Sequence, residues 1–149
     1  MLELGRGYFD KFIKLEKLYR KYFQEALVSY GLTPNEMIVL LFLYNNAPAL
    51  DTSRDIVRCK GISKGLVARS VESLTSRGYL TTRRDERDHR VIHLKLSDPE
   101  IVGDLQKTQE QLAARLEEGI PEEYKKVTNE TLRLMIENVE RMLKGEQLS

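Results

Sequence analysis

Apolar residues recur every three or four positions between residues 9 and 30, which is the period of one face of an α-helix. The residues on this face are Phe9, Phe12, Leu15, Tyr19, Tyr22, Phe23, Ala26, Leu27 and Tyr30. Gly31 is suited to end the helix. Thr33, Pro34 and Glu36 then supply an N-cap, a first-turn proline and the closing glutamate of a capping box, which predicts a second helix over about 34–46. That helix is apolar almost all round, so we expect it to lie at the centre of the fold.

Two shorter helices are predicted next, separated by a tight turn at Gly61. Thr52 is placed to cap a helix over about 53–59, and Ser63 to cap another that runs to about Arg77. The apolar stripe of the later helix consists of Leu66 or Val67, Val71 and Leu74. Two helices joined by a short glycine turn are typical of the helix-turn-helix unit.

The hydrophobic period then changes from the helical value to that of a β-strand. Residues 79–84 and 91–96 are rich in strand-forming types, and the second segment alternates apolar and polar side chains. Between them lies the polar hexapeptide 85–90, with the sequence Asp-Glu-Arg-Asp-His-Arg. These features predict a β-hairpin with a charged tip, that is, a wing attached to the helix-turn-helix.

Two long helices complete the chain. Ser97 and Glu100 have the spacing of a capping box, which predicts a helix up to about Gly119, and a last helix is predicted over about 121–144. The fold class is therefore mainly α with a small β-hairpin wing. We expect one chain, 1–149, in which 32–97 form a winged helix-turn-helix and the flanking segments 1–31 and 98–149 are helical.

Composition agrees with a folded protein and excludes several classes. The 149 residues are 41% hydrophobic and 32% charged, with a single cysteine, so no intrachain disulfide forms. The longest apolar run, over 37–44, is far shorter than the roughly 20 residues needed to cross a bilayer. The amino terminus lacks the order of a secretory signal. We therefore expect a cytoplasmic protein.

The net charge of +1 conceals a strong asymmetry. Residues 51–97 carry 11 basic and 6 acidic side chains, whereas residues 98–149 carry 7 basic and 12 acidic ones. The positive excess thus falls on the helix-turn-helix and the hairpin, and it is compensated by the carboxyl-terminal helices. A concentrated basic segment of this kind is typical of a surface that neutralises nucleic-acid phosphates.

Several short motifs together resemble the MarR family of transcriptional regulators. They are Gly31-Leu32-Thr33, Ile62-Ser63-Lys64, Arg69, Leu74 with Gly78-Tyr79-Leu80, Asp88-His89-Arg90 and Leu96-Ser97. The resemblance covers about residues 8–144 and implies a homodimer that binds a pseudo-palindromic operator, most often as a repressor. The chain departs from the family pattern at Gly65, Ser73, His89 and Ser97, which lie on or near the surfaces expected to touch DNA.

Candidate DNA contacts follow from the outward positions of the recognition helix and from the basic wing. They are Arg54, Ser63, Lys64, Gly65, Ala68, Arg69, Arg77, Arg87, His89 and Arg90. Gly65 and Ala68 are small enough for close approach, and Arg69 is the candidate for a guanine or phosphate contact. Arg90 is expected to enter the minor groove from the wing tip. Asp88 and Glu72 are expected to orient the wing arginines.

The flanking helices carry more apolar surface than the winged helix can cover, which predicts a homodimer; a three-helix cap within one chain is the alternative. The family resemblance also implies a small aromatic or anionic effector between the dimer helices and the winged helix. The candidate lining residues are Tyr19, Phe23, Phe42 and Leu43, although each also fits an ordinary core position. Partners are therefore double-stranded DNA, a second copy of the chain and an effector, with no membrane.

Other functions have weaker support in the sequence. No catalytic triad, glycine-rich phosphate loop or cluster of metal ligands is visible, so we expect neither an enzyme nor a cofactor or metal site. His89 and His93 alone would be a poor zinc site, and His89 fits a phosphate contact better. Cys59, expected to be a small buried residue, leaves a thiol-based redox regulator as one alternative. A winged-helix protein-interaction module without DNA binding is the other.

Overall fold

The computed structural model describes residues 7–145 of the chain. In order along the chain, its elements are α1 (Gly7–Tyr30), α2 (Pro34–Asn46), α3 (Ser53–Lys60), α4 (Lys64–Ser76), β1 (Leu80–Arg84), β2 (Ile92–Leu96), α5 (Pro99–Leu116) and α6 (Glu122–Leu143). The order and bounds match those that the sequence predicts to within a few residues. By its internal contacts the chain divides into two compact units between Leu112 and Ala113, inside α5.

The junction between α1 and α2 has the predicted form. Gly31 adopts a left-handed conformation with φ of +64°, which a side chain would oppose, and it ends α1. Thr33 then caps α2: its side chain accepts a hydrogen bond from the Glu36 N–H, and the Glu36 carboxylate accepts one from the Thr33 N–H. The complete capping box fixes where the buried helix begins.

α2 is the central element of the first unit. Seven of its 13 residues are buried, and they include Met37, Leu40 and Phe42. The surrounding core is contributed by α1, α3, α4, both strands and α5, and all the buried apolar side chains of the described residues lie between Phe23 and Leu112. Each large aliphatic side chain removed from water stabilises the fold by about 1.5–3 kcal/mol.

The helix-turn-helix consists of α3 and α4. Thr52 caps α3 in a second capping box, closed by Asp55, and Gly61 ends it with a φ of +65°. Ser63 caps α4 by accepting from the Leu66 N–H at 3.2 Å. Val67, Ser70 and Leu74 are the buried residues of α4, so of the two candidates for the first inward position it is Val67 that points inward, while Leu66 is exposed.

β1 and β2 form an antiparallel hairpin in which Leu80 is paired with Leu96, and Arg83 with His93. On its other edge β2 is joined to the segment before α3, since the Leu94 N–H donates to the Asp51 carbonyl oxygen at 2.8 Å. Leu80 and Leu94 are buried. The base of the wing is therefore fixed to the core of the unit, whereas its tip extends beyond it.

One predicted start signal was wrong. Ser97 does not cap α5; the Glu100 N–H donates instead to the carboxylate of Asp98 at 3.0 Å. Asp98 directly precedes Pro99, the first residue of the helix, and so it occupies the N-cap position that the capping-box spacing assigned to Ser97.

The second unit contains the end of α5 and all of α6. None of the 22 residues of α6 is buried. Its large exposed apolar side chains are Tyr124, Val127, Leu132, Leu134, Ile136, Val139, Met142 and Leu143. Considered singly, no helix within residues 7–145 combines the length and the apolar character that a membrane crossing requires.

Candidate nucleic-acid interface

The amino-terminal half of α4 presents a row of small and cationic side chains to solvent. Lys64, Gly65, Ala68 and Arg69 are all exposed, because Val67 and the buried residues one turn further along fix the opposite face in the core. A Cβ atom added at Gly65 would meet nothing within 4 Å, so the surface of the helix is open there. This is the end of a recognition helix that reaches base edges in helix-turn-helix proteins.

The wing tip is shaped by two aspartates. The Asp85 carboxylate accepts from the backbone N–H groups of Arg87 and Asp88, at 3.0 and 2.9 Å, which closes the turn. The Asp88 carboxylate in turn accepts two hydrogen bonds from Arg90, one from the backbone N–H and one from the guanidinium Nε, each at 3.1 Å. These hydrogen bonds from Arg90 hold the pKa of Asp88 below its usual value. The aspartate thus aims a guanidinium whose side chain is 91% exposed.

Glu72 was the other residue expected to orient the wing. It is exposed on α4, and among residues 7–145 no ion pair joins it to a wing arginine. Arg90 is held by Asp88 instead, because the two residues share one tight turn.

Arg77 lies at the carboxyl end of α4, but its guanidinium contacts the protein. It donates to the carbonyl oxygens of Tyr30 and Gly31 at 3.0 and 2.9 Å, and to the Glu36 carboxylate at 3.1 Å. It also lies over the Tyr79 ring at 5.2 Å. Arg77 therefore joins the recognition helix to the end of α1 and the start of α2, and we take it out of the set proposed to touch DNA.

Glu36 is the centre of this network. Its side chain is 8% exposed. The carboxylate accepts hydrogen bonds from the Ser73 hydroxyl at 3.1 Å, from the Arg77 guanidinium and from the backbone N–H of the capping residue Thr33. Ser73 stands where the family often has arginine, so the departure noted in the sequence has a structural role here. The capping-box spacing identified Glu36, but not its partners on α4, which lie 37 and 41 residues away along the chain.

The remaining candidate contacts are exposed. Ser63 and Arg54 lie at the starts of α4 and α3, and Arg87 and His89 lie on the wing tip. The cations are thus distributed over the helix-turn-helix and the wing of a single unit, which is the arrangement needed to contact phosphates on either side of a groove.

A carboxylate–histidine–carboxylate bridge, which the sequence did not indicate, lies where the wing strands meet the wing turn. His93 Nδ1 is 2.7 Å from an oxygen of Asp51, and its Nε2 is 2.8 Å from an oxygen of Asp85. The hydrogen bonds to Asp51 and then to Asp85 raise the pKa of His93 above its usual value. The hydrogen bond from His93, helped by those from the wing-turn amides, lowers the pKa of Asp85 to about 2. An aspartate at the start of a turn was the one visible signal in the sequence.

The four candidate effector residues are not brought into one site. Phe23, Phe42 and Leu43 are buried, whereas Tyr19 is partly exposed, and its ring lies 4.6 Å from that of Phe23. Burial raises the pKa of the Tyr19 hydroxyl. Tyr19 and Phe23 line a cavity of about 550 Å³ between α1 and the start of α2, which Gly31 also lines. Leu43 lines a different cavity, of about 720 Å³, beside the wing strands.

Cys59 is exposed near the end of α3, so the expectation that it is a small buried residue was wrong. The inward positions of this short helix are taken by Ile56 and, in part, Val57. Within the described part of the chain, no three histidine, cysteine or carboxylate side chains are grouped as metal ligands would be.

The fold and the surface define the class of the protein: a winged helix-turn-helix protein with a cationic recognition helix and wing, preceded and followed along the chain by long helices. The sequence model of the MarR family matches residues 30–91, from the end of α1 to the end of the wing turn. No curated protein matches the chain.

Solved structures of low sequence identity share the fold over nearly the whole chain. A MarR transcriptional regulator from Methanosarcina mazei Go1 is 22% identical, with a TM-score of 0.73, and the match covers 91% of this chain and 99% of that one. S. aureus MepR in complex with DNA is 17% identical, with a TM-score of 0.74 and coverages of 89% and 96%. Bordetella bronchiseptica BpsR, whose DNA binding is regulated by 6-hydroxynicotinic acid, is 21% identical, with a TM-score of 0.58 and coverages of 82% and 98%.

The resemblance found in the sequence is thereby supported: residues 30–91 match the MarR family model, and the chain shares the fold of solved MarR-family regulators over most of its length.

Proposed function

We propose that this protein is a homodimeric, sequence-specific DNA-binding transcription regulator of the MarR type. It acts as a repressor on a pseudo-palindromic site and is released by a small molecule. The observation that carries the proposal is the surface shared by α4 and the wing. Lys64, Gly65, Ala68 and Arg69 are exposed at the leading end of α4, and Arg90 is aimed outward at the wing tip.

Each part of this surface suits one groove of DNA. The leading turns of α4 are narrow at Gly65 and Ala68, so the helix can approach base edges closely in the major groove, with Arg69 within reach of a guanine or a phosphate. Arg90 stands on a rigid turn, and an arginine there suits a narrow, strongly negative minor groove. Positioning by Asp88 limits the conformational entropy that Arg90 would lose on binding.

The exposed apolar side chains support a dimer. Tyr8, Phe9 and Phe12 on α1 are 67%, 73% and 46% exposed, and α6 has no buried residue although it carries an apolar stripe. Groups of exposed large apolar side chains are typical of interaction surfaces. Two-fold symmetry would then present two recognition helices and two wings to a pseudo-palindromic duplex.

The cavity between α1 and α2 supports the proposal that a small-molecule effector binds. It has an apolar lining that includes Phe23 and Leu27, together with the cationic side chains of Lys17 and Lys21, which suits an aromatic or otherwise apolar anion. The related BpsR responds to 6-hydroxynicotinic acid, a ligand of this chemistry. Gly31 lines the cavity and its carbonyl oxygen accepts from Arg77, so a ligand that displaces this junction would act on the end of α4.

The proposal is tested with DNA fragments selected from a random pool by the purified protein. We expect log affinity to fall linearly with log salt, because phosphate contacts release counterions. Arg69→Ala is expected to weaken the selected site by about 1–3 kcal/mol and to relax its sequence preference. Arg90→Ala is expected to weaken binding and to reduce discrimination in the flanking minor groove. The matched control is Lys107→Ala, which removes the same charge from the exposed face of α5.

Two results would contradict the proposal. No binding to any duplex at low salt would instead favour a winged-helix module that contacts proteins. Equal losses in Arg69→Ala and Lys107→Ala would mean that only the total charge matters and that α4 does not lie in the groove.

A further inference from the structure

Three neighbouring backbone segments contribute side chains to a single row at the turn end of the wing strands. Asp51 precedes α3, His93 lies on β2, and Asp85 follows β1. Both imidazole nitrogens are engaged, at 2.7 Å by Asp51 and at 2.8 Å by Asp85. The three side chains are only 13–31% exposed, so water replaces these contacts poorly.

The two ends of the row are anchored differently. Asp51 belongs to the body of the winged helix: its N–H donates to the capping carboxylate of Asp55 at 3.1 Å, and its carbonyl accepts from Leu94. Asp85 belongs to the wing, since its second carboxylate oxygen accepts from the two amides that close the wing turn. His93 therefore joins the body to the turn that carries Asp88 and Arg90.

The row is complete only when His93 is charged. A carboxylate accepts hydrogen bonds and donates none, and a neutral imidazole carries a single N–H. Neutral His93 can satisfy one aspartate, while its bare nitrogen faces the lone pairs of the other at hydrogen-bond distance. The imidazolium donates to both, and it compensates the two negative charges.

The charges around His93 have both signs. From β1 Arg83 is paired directly with His93, and from β2 Lys95 lies two residues along; both line the same cavity, together with the Tyr44 hydroxyl of α2. α5 contributes the uncharged Pro99 to this lining. Burial and the charge of Arg83 oppose protonation of His93, whereas the hydrogen bonds to the two aspartates favour it. The balance raises the pKa of His93 above its ordinary value, with the hydrogen bond to Asp51 as the largest cause.

We propose that His93 is a positioning residue of the wing: as an imidazolium it ties Asp85 to Asp51, and its deprotonation loosens the wing and weakens DNA binding. The part that concerns DNA rests on the proposed function, whereas the part that concerns wing order does not.

The sign of the pH dependence follows from the two pKa shifts. A histidine whose pKa is raised by folding contributes stability that is present at low pH and is lost as the pH rises through its folded value. Asp85, with a pKa of about 2, stays charged throughout that range. The wing should thus be ordered on the acidic side of the titration of His93 and should loosen on its alkaline side.

The first experiment uses the free protein, labelled with ¹⁵N. The chain has two histidines, so His93→Gln removes the bridge and His89→Gln, on the exposed wing tip, is the matched control. We expect heteronuclear NOE values of the Arg87 and Asp88 amides to fall between about pH 5.5 and about pH 9 in the wild type and in His89→Gln. In His93→Gln they should be low and independent of pH.

A wing of equal order across this range in the wild type would overturn the proposal, and so would an unchanged pH profile in His93→Gln. Asp51→Asn is a second variant that preserves shape and removes one negative charge. The titration of the His93 ring, followed by its C–H resonances, should then move to lower pH, and an unmoved titration would also count against the bridge.

The second experiment measures affinity for the selected duplex at constant salt. From the acidic to the alkaline side of the titration, wild-type affinity should fall by about fivefold, the lower end of typical coupling between linked sites. His89→Gln should retain this fall and His93→Gln should lose it. The reverse pattern would assign the pH effect to a phosphate contact of His89 and would overturn the proposal. If the order of the wing changes with the titration of His93 but the protein binds no DNA, only the proposed function is contradicted.

Discussion

The helices α2 and α6 are both rich in apolar residues, yet the chain buries one and leaves the other uncovered. Seven of the 13 residues of α2 are buried, whereas none of the 22 residues of α6 is. α2 lies inside a winged helix that completes its own core, with Leu40 and Leu43 fully covered. On α6 the apolar stripe, which includes Leu132 and Val139, remains exposed. A helix that is apolar almost all round thus lies within the core of one chain, whereas a helix with a single apolar stripe presents a surface that a second copy would cover.

The largest expected effect comes from charging the uncovered helix. Leu132→Glu with Val139→Glu places two carboxylates on the apolar stripe of α6. If this stripe forms the dimer interface, the dimer should dissociate at least about a thousandfold more readily, because each buried aliphatic side chain contributes about 1.5–3 kcal/mol. Light scattering after size exclusion should then show the protomer mass of 17.3 kDa instead of twice that value.

The control is Asn129→Glu with Asn138→Glu, which adds the same charges at exposed polar positions of α6. It should remain dimeric. A wild-type protein that already has the protomer mass at micromolar concentration, or a dimer that survives both double variants, would remove α6 from the proposed interface.

The second largest effect is expected from a change in the buried helix α2. Glu36→Ala deletes the carboxylate that accepts hydrogen bonds from Arg77, Ser73 and the Thr33 N–H. It leaves the partly buried Arg77 guanidinium without its counter-charge. We expect the free energy of unfolding to fall by about 2–3 kcal/mol, as urea denaturation would show. The dimer should persist in this variant under native conditions.

Glu16→Ala is the matched comparison, because it also removes a glutamate paired with an arginine. Both partners, Glu16 and Arg20, are more than half exposed, so the loss should stay below about 0.5 kcal/mol. Similar losses in the two variants would show that burial does not distinguish the two ion pairs.

The smallest effect should come from a single methyl group on the recognition helix. Gly65→Ala is expected to stabilise the protein by less than about 0.5 kcal/mol, because the penalty for glycine is smaller in the first turn of a helix than in its interior and the added Cβ meets no atom of the protein. Affinity for the selected duplex should fall at the same time, because the methyl group occupies space used for close approach to the bases. Thermal melting and duplex titration check the two expectations.

Gly103→Ala on α5 is the control, since its Cβ would make only an ordinary contact of 3.5 Å with Tyr44. It should show the gain in stability without the loss of affinity. Unchanged DNA binding in Gly65→Ala would mean that this turn of α4 does not approach the duplex closely.

Local signals in the sequence predicted most of the fold. The capping residues Thr33, Thr52 and Ser63 begin the helices that they were expected to begin, and the alternation after Val91 correctly predicted the second strand. These signals work because their partners lie within four residues. Ser97 failed by one position, since a neighbouring aspartate competes for the same N–H group.

The candidate site was less predictable, because its key contacts span long distances along the chain. Arg77 has the same sequence signature as a DNA-contacting arginine, but its acceptors are 46 and 47 residues earlier. His93 and Asp51 are separated by 42 residues, so their bridge is visible only once β2 lies beside the segment before α3. Exposure of Arg69 and Arg90, by contrast, follows directly from helix periodicity and from a short turn.

The link between Arg77 and α1 has a consequence for how the chain tolerates mutation. Two of its acceptors are the main-chain oxygens of Tyr30 and Gly31, and an acceptor of that kind is present in every type of amino acid. A substitution at position 30 therefore leaves the carbonyl oxygen that accepts from Arg77 in place, whereas a substitution of Arg77 removes all of its contacts with α1 and Glu36 at once. In a library of variants that samples all positions, the substitutions that break this connection should therefore be found mainly at residues 36 and 77. Related sequences could differ along α1 while α1 stays connected to the recognition helix.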